Sequence, residues 1–171
     1  EIGYGAFAFC EQLDTVVFNE KASIGDYAFY KSFGKDVTEG ENPITYKSEV
    51  VMKKDGNIGE YAFAESNIKS IKADEFTNII SEGAFMFTTS LVDASFAKAT
   101  EVGRSAFANS PKHESALTSI NIQSVTHIAN GAFRMNTNLS TVNANSLVSI
   151  GDYAFANCKL LSTINLSTVN E

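Results

Sequence analysis

The chain has 171 residues, of which 44% are hydrophobic, 11% aromatic and 19% charged, and its formal net charge is −7. This length is enough to bury a complete core as one domain, and the negative charge disfavours binding to nucleic acid or to anionic lipid. Since the sequence contains no apolar run of about 18 residues, we also expect no membrane insertion within it.

The dipeptide Ala-Phe recurs seven times in one context, ending at residues 7, 29, 63, 85, 107, 133 and 155, and the spacings between these phenylalanines are 22, 34, 22, 22, 26 and 22 residues. Each phenylalanine follows a branched aliphatic residue by five positions. These aliphatic residues are Ile2, Ile24, Ile58, Ile80, Val102, Ile128 and Ile150. A fixed period of this length is the signature of a repeat protein, in which neighbouring copies bury a common core. The sequence therefore predicts a single solenoid over residues 1–171, with about seven coils that begin near residues 2, 24, 58, 80, 102, 128 and 150.

Each coil is expected to contain one short strand and one helical or 3₁₀ turn. The segment Leu-x-x-(Ile/Val)-x-apolar, clearest over residues 117–122 and 139–144, ends in the apolar–polar alternation of a half-buried strand. The spacing from the aliphatic residue to Ala-Phe fits a single turn of helix or 3₁₀. The extra residues of the second coil, best placed at 34–43, and those near 111–115 in the fifth are predicted to be surface loops.

The pattern Ile-Gly-x-x-Ala-Phe-x-x-Cys-x-x-Leu-x-x-Ile-x-Leu, plain over residues 150–166, resembles the BspA-like (treponemal-type) leucine-rich-repeat family. The resemblance covers essentially the whole chain and implies a right-handed leucine-rich-repeat coil with a parallel β-sheet on its concave face. It also implies a secreted or cell-surface protein that adheres to host matrix or to another cell. The family has no shared catalytic or ligand motif that could be transferred to this sequence.

No residue pattern predicts an enzyme, a cofactor or a metal site. The two histidines, His113 and His127, lack partners at metal-ligand spacing, and no hydrolase, metalloprotease or nucleotide-binding motif occurs. Cys10 and Cys158 share one coil position with Ser, Thr and Asn in other coils, so we expect a small side chain that packs or hydrogen-bonds inside the turn. The phenylalanines of the Ala-Phe pairs are expected to be buried. Tyr27, Tyr61 and Tyr153 share a position that we interpret as a half-exposed turn site.

The candidate binding surface is the outward face of the predicted sheet. Its candidate residues are Lys69, Lys72, Asp93, Ser95, Ser119, Asn121, Thr141, Asn143, Thr163 and Asn165. A mixed polar face suits a protein or glycan ligand, and a structural spacer within a larger surface protein is the alternative. Whether the concave face or the loop at 34–45 binds stays open at this stage. Because the repeat starts at Ile2 without a polar cap, we expect a piece of a longer protein whose ends could associate end to end.

Overall fold

The computed structural model describes residues 1–36, 45–112, 114–166 and 168–169. Within these ranges the chain forms thirteen short strands and no helix. The strands are β1 (Thr15–Phe18), β2 (Ala22–Ile24), β3 (Glu49–Met52), β4 (Gly56–Ile58), β5 (Ser70–Lys72), β6 (Ile79–Ile80), β7 (Asp93–Ser95), β8 (Glu101–Val102), β9 (Ser119–Asn121), β10 (His127–Ile128), β11 (Thr141–Asn143), β12 (Ser149–Ile150) and β13 (Thr163–Ile164). No helix in the described residues could cross a bilayer.

The odd-numbered strands form the main sheet, which has seven parallel strands in the order β1-β3-β5-β7-β9-β11-β13. Each coil contributes one strand, so neighbours in the sheet are equivalent segments of successive coils. The central residue of each strand points into the core, as Val50, Ile71, Ala94, Ile120 and Val142 show by their exposure of at most 2%. This architecture confirms the predicted solenoid with a parallel sheet.

The even-numbered strands form a second sheet, which is interrupted between β4 and β6. At most coil junctions of this second sheet, the residue that follows the branched aliphatic residue donates its backbone amide to a carbonyl of the preceding coil. The Gly103 amide, for example, donates to the Ile80 carbonyl at 2.8 Å. At the interruption, side chains bridge the two coils instead. The Ser81 hydroxyl donates to the Ile58 carbonyl at 2.5 Å, and the Asn78 amide donates to the Gly56 carbonyl at 2.6 Å. The two coils therefore remain joined where the backbone pairing stops.

The phenylalanines of the Ala-Phe pairs stack in one continuous column. Ring centroids of successive coils lie 5.0–5.2 Å apart, and the ring planes differ by 2–7°. The five inner rings are at most 2% exposed, whereas Phe7 is 40% exposed and Phe155 is half-buried. The prediction of burial is therefore confirmed for the inner coils, and the column forms the axis of the core.

The predicted helical or 3₁₀ turn is wrong in the described residues, where each Ala-Phe segment is a run of β-turns. In the fourth coil, the amides of Ala84 and Met86 donate to residues three positions earlier, as in a turn. The alternate amides, including that of Phe85, donate to the next coil instead. A helix cannot form because the residue two positions before each phenylalanine has a left-handed φ, between 51° and 64° in all seven coils.

Candidate functional site

The outward side chains of the main sheet form two rows, which we call the outer sheet face. The first row contains Thr15, Glu49, Ser70, Asp93, Ser119, Thr141 and Thr163. The second contains Val17, Val51, Lys72, Ser95, Asn121 and Asn143. The structure thus brings eight of the ten predicted candidate residues together in two ladders. Of the other two, Asn165 directly follows β13 and is exposed.

Two hydrogen bonds fix part of the outer sheet face, which also carries one exposed ion pair. The Asn121 side-chain amide donates to the Ser95 hydroxyl at 3.0 Å, and that hydroxyl donates to the carboxylate of Asp74. Lys72 lies 3.6 Å from the carboxylate of Glu49 on the neighbouring strand. Since the Lys72 side chain is 59% exposed, this pair contributes little to stability and leaves the ammonium group accessible to a partner.

Lys69 lies outside the outer sheet face, because its ammonium group is directed to the base of the insertion in the second coil. Its Nζ donates to both carboxylate oxygens of Asp36, at 2.7 and 2.8 Å, and to the Tyr46 carbonyl at 2.7 Å. The hydrogen bond from Lys69 and that from the Tyr46 amide hold the pKa of Asp36 below its usual value. Lys69 therefore anchors the insertion. The centre of the predicted loop, residues 37–44, lies outside the described residues.

A third row, next to the outer sheet face, ties successive coils together. The hydroxyls of Thr118, Ser140 and Ser162 donate to the carbonyls of Val92, Thr118 and Ser140, at 3.4, 3.1 and 3.2 Å. Because each hydroxyl bonds the backbone of the coil before it, this row is structural.

Two triplets, Asn138-Leu139-Ser140 and Asn165-Leu166-Ser167, match the N-glycosylation sequon. The sequon at Asn138 is built into the fold, since the Asn138 amide donates to the Ser115 carbonyl at 2.7 Å and Leu139 is fully buried. The sequon at Asn165 ends on Ser167, which lies outside the described residues.

The position occupied by the two cysteines is an internal turn position, as predicted. The hydroxyls of Ser32 and Thr88 donate to the carbonyl three residues earlier, at 2.5 and 2.7 Å. The Cys158 thiol donates to the Phe133 carbonyl of the preceding coil at 3.1 Å, and both cysteines are free. Ser32 and Thr88 therefore bond inside their turns and Cys158 bonds to the preceding coil, whereas the buried Ser66 hydroxyl has no hydrogen-bond partner and only packs. The position thus holds a small side chain that packs or hydrogen-bonds in the interior.

Burial raises the pKa of the Cys158 thiol to about 11, from an ordinary value of 9.0. At pH 8 the thiolate fraction should therefore be about 100-fold lower than in an unperturbed cysteine, because each pKa unit is a factor of ten. We expect Cys158 in a Cys10→Ser variant to react with a thiol reagent about 100-fold more slowly in the folded protein than in the guanidinium-unfolded chain. Equal rates in the two states would contradict the buried environment.

Of the two histidines, only His127 lies within the described residues. His127 begins β10 at an exposed position, and its Nδ1 lies 2.7 Å from the Thr126 hydroxyl. His113 lies outside the described residues. Among the residues whose structure is described, no group of three or more His, Cys, Asp or Glu side chains could hold a metal ion.

A tyrosine cluster on the turn side of the solenoid is a feature that the sequence reasoning did not single out as a surface. Tyr27 stacks on Tyr61 with centroids 5.3 Å apart and planes 15° apart, and the Tyr4 ring lies 5.6 Å from Tyr27. The hydroxyls of Tyr30 and Tyr61 donate to Glu65 and Glu82, at 2.7 and 3.2 Å. The signal that could have revealed it is the shared position of Tyr27 and Tyr61 in adjacent coils.

The stacked coils, the parallel main sheet and the phenylalanine column define a leucine-rich-repeat solenoid. A sequence model described as the BspA type leucine rich repeat region matches residues 1–50 and 56–171 in six copies, where the main sheet has seven strands. The chain therefore belongs to the BspA-type leucine-rich-repeat family, which confirms the resemblance seen in the sequence.

The chain is also similar to a leucine-rich-repeat protein of T. pallidum, known from a crystal structure. The two are 19% identical, the match covers 86% of this chain and 78% of that one, and the TM-score is 0.48. A search of curated proteins found no match.

Proposed function

We propose that the chain is an extracellular or cell-surface binding module, which recognises a protein or glycan through its solenoid surface and performs no catalysis. The supporting observation is the outer sheet face, where hydroxyl, amide and charged side chains are ordered in two rows on a rigid backing. Adjacent strands place equivalent side chains about 4.8 Å apart, so hydrogen-bonding groups recur at a regular spacing from β5 to β11. Membership of a family whose proteins are commonly surface interaction modules supports the same proposal.

The buried layer beneath the outer sheet face is rigid, and this rigidity favours binding. The residues between the outward ones, such as Ile71 and Ala94, are fully buried, and Phe96 packs behind them at 0% exposure. A surface held in one conformation loses little entropy when a partner docks, so more of the interaction energy appears as affinity. The short Ser, Thr and Asn side chains of coils five to seven add to this effect because they have few rotatable bonds.

The proposal is tested by removing three exposed side chains from the outer sheet face. We expect the triple variant Lys72→Ala, Asp93→Ala, Asn143→Ala to capture its partner from matrix or cell extract at least about tenfold more weakly, which corresponds to 1.4 kcal/mol. The control is the double variant Glu75→Ala, Lys98→Ala, which removes an exposed ion pair with an N–O distance of 2.7 Å that belongs to neither row of the outer sheet face. Both variants leave the net charge unchanged. Equal capture by the triple variant and the control would contradict a role for the outer sheet face.

The insertion in the second coil is a separate candidate contact. Replacing residues 37–44 by a short Gly-Ser linker keeps the anchor formed by Asp36, Tyr46 and Lys69. Loss of capture in this variant, with the outer sheet face intact, would assign binding to the insertion.

A structural spacer is the second candidate function. The phenylalanine column favours it, because an unbroken stack of rings through seven coils makes the solenoid stiff along its length. A spacer would retain no partner in a pull-down from serum, matrix or cell extract, and all variants above would behave alike.

A further inference from the structure

A shallow pocket of about 250 Å³ opens on the turn side of coils five to seven. Ser105 and Gly131 occupy equivalent positions in adjacent coils and form its floor, and Arg104 and Arg134 line it. Tyr153, at the same coil position as the two floor residues, closes the end nearer the C-terminus and is 77% exposed. The pocket is distinct from the outer sheet face.

The pocket exists because no tyrosine ring covers this part of the turn. In the earlier coils, Tyr27 stacks on Tyr61, and the Tyr61 ring in turn lies over Gly83 of the next coil. A Cβ atom at Gly83 would be 2.3 Å from that ring. At Gly131 the nearest atom to such a Cβ would be the Ser105 hydroxyl, at 3.6 Å. The small residues Ser105 and Gly131 therefore leave open a strip that tyrosine rings fill elsewhere.

Positive charge is concentrated at this opening. Arg104 and Arg134 are the only arginines of the chain, and both line the pocket. Neither forms an ion pair in the described part of the chain, whereas five lysines there pair with carboxylates. In a protein of net charge −7, two unpaired guanidinium groups at one pocket are suited to an anionic group of a ligand.

The remaining lining residues restrict the kind of anion. Asp152 also lines the pocket, and Asn130 is held in place because its Oδ1 accepts the Asp152 amide at 3.0 Å. A carboxylate at Asp152 accepts hydrogen bonds from hydroxyl groups but repels a second negative charge. The exposed Tyr153 ring offers an apolar face with a polar edge. These groups fit a ligand that has one carboxylate and several hydroxyls.

We propose that this pocket binds a carboxylated sugar residue, with the carboxylate between Arg104 and Arg134 and the hydroxyls near Asp152, Asn130 and Ser105. The overall negative charge of the chain opposes polyanions, so a single acidic sugar in an otherwise neutral glycan fits better than a nucleic acid or a heavily sulfated chain. This inference rests on the proposed binding function and assigns it a ligand class and a second site.

The test uses methyl glycosides of glucuronic acid and N-acetylneuraminic acid, with methyl glucoside as the neutral probe, in saturation-transfer NMR and titration. We expect wild-type protein to bind at least one acidic glycoside and not methyl glucoside. Arg104→Gln and Arg134→Gln should each weaken binding at least about tenfold, because each removes a charge-assisted pair. Lys54→Gln, which removes an exposed positive charge elsewhere, should leave binding unchanged.

Ser105→Tyr provides a test that keeps the charge constant. The position already has a left-handed φ, as do Tyr27 and Tyr61, so a tyrosine should be accommodated and should cover Gly131 as Tyr61 covers Gly83. We expect an unchanged melting temperature and loss of acidic-glycoside binding. Equal binding of acidic and neutral glycosides, no binding to wild type, or unaltered binding by Ser105→Tyr would overturn the inference. None of these results affects the capture assay on the outer sheet face, so the two proposals fail separately.

Discussion

Phe85→Ala is expected to lower the free energy of unfolding by about 3–5 kcal/mol, the range observed when a buried Phe is truncated to Ala. Phe85 is fully buried and stacks on Phe63 and Phe107 with centroids 5.2 and 5.1 Å away. Removing its ring leaves a void between two coils that the stack cannot close, since the backbone spacing is set by the hydrogen bonds above and below. Urea denaturation of the variant and the wild type measures the change.

Phe9→Ala is the matched control, because Phe9 has the same side chain but is 61% exposed in the first coil. Its ring has an edge contact with Tyr30 at 5.7 Å, so we expect a loss below about 1 kcal/mol. Similar losses in the two variants would show that the column is not the main source of stability.

Asn136→Ala is expected to cost about 2–3 kcal/mol. Asn136 is 2% exposed, and its side-chain amide donates to the carbonyls of Phe107 and Phe133, both at 2.8 Å. Its Oδ1 accepts the Ser115 hydroxyl at 2.7 Å, which ties down the insertion of the fifth coil. Truncation would leave the buried Phe107 carbonyl and Ser115 hydroxyl without these partners, and each such group costs roughly 1–3 kcal/mol.

Asn136→Ser is the informative comparison for this site. The Ser32 and Thr88 hydroxyls at this coil position bond the carbonyl three residues earlier, whereas the equivalent Ser66 hydroxyl has no hydrogen-bond partner. The serine variant should recover that bond within the turn but not the link to Ser115, so its stability should lie between those of the alanine variant and the wild type. Equal stability of the serine and alanine variants would contradict the role assigned to the hydrogen bond within the turn. Wild-type stability in both variants would contradict a stabilising role for all the hydrogen bonds of Asn136.

The repeat period made much of the fold predictable from the sequence. Equal spacing of Ala-Phe implied equivalent coils, and the alternation in residues 119–121 and 141–143 indicated which side chains point outward. Both inferences depend on local pattern and on the stacking of identical units, which together leave few alternative arrangements. The strand register confirms the rows of Ser119 with Thr141 and of Asn121 with Asn143.

The turns were not predictable in the same way. The spacing from Ile80 to Phe85 fits a helix as well as a chain of β-turns, and the left-handed φ that decides between them is marked only by glycines at positions 5, 83 and 131. Tyrosines at the same position in three other coils hide that signal, because left-handed φ values are uncommon for bulky residues. Without the turn geometry, the pocket between Arg104 and Arg134 could not be found.

Lys69 shows a second limit of the pattern. Its position in the repeat suggested an outward side chain on the predicted face, but the insertion of the second coil supplies Asp36 and the Tyr46 carbonyl within reach of its ammonium group. Contacts made by an insertion depend on a loop whose path the repeat does not encode, so a repeat-based prediction is least reliable beside it.

The backbone of one coil bonds directly to the equivalent segment of the next, and NMR scalar couplings across these hydrogen bonds test this arrangement most directly. We predict a coupling between the amide nitrogen of Phe85 and the carbonyl carbon of Ala106, and another between Phe107 and Ala132, since these N–H···O distances are 2.7 and 2.8 Å. Couplings from Phe85 to a carbonyl three or four residues earlier would instead indicate isolated helical turns, and would contradict the stacked solenoid and the surfaces derived from it.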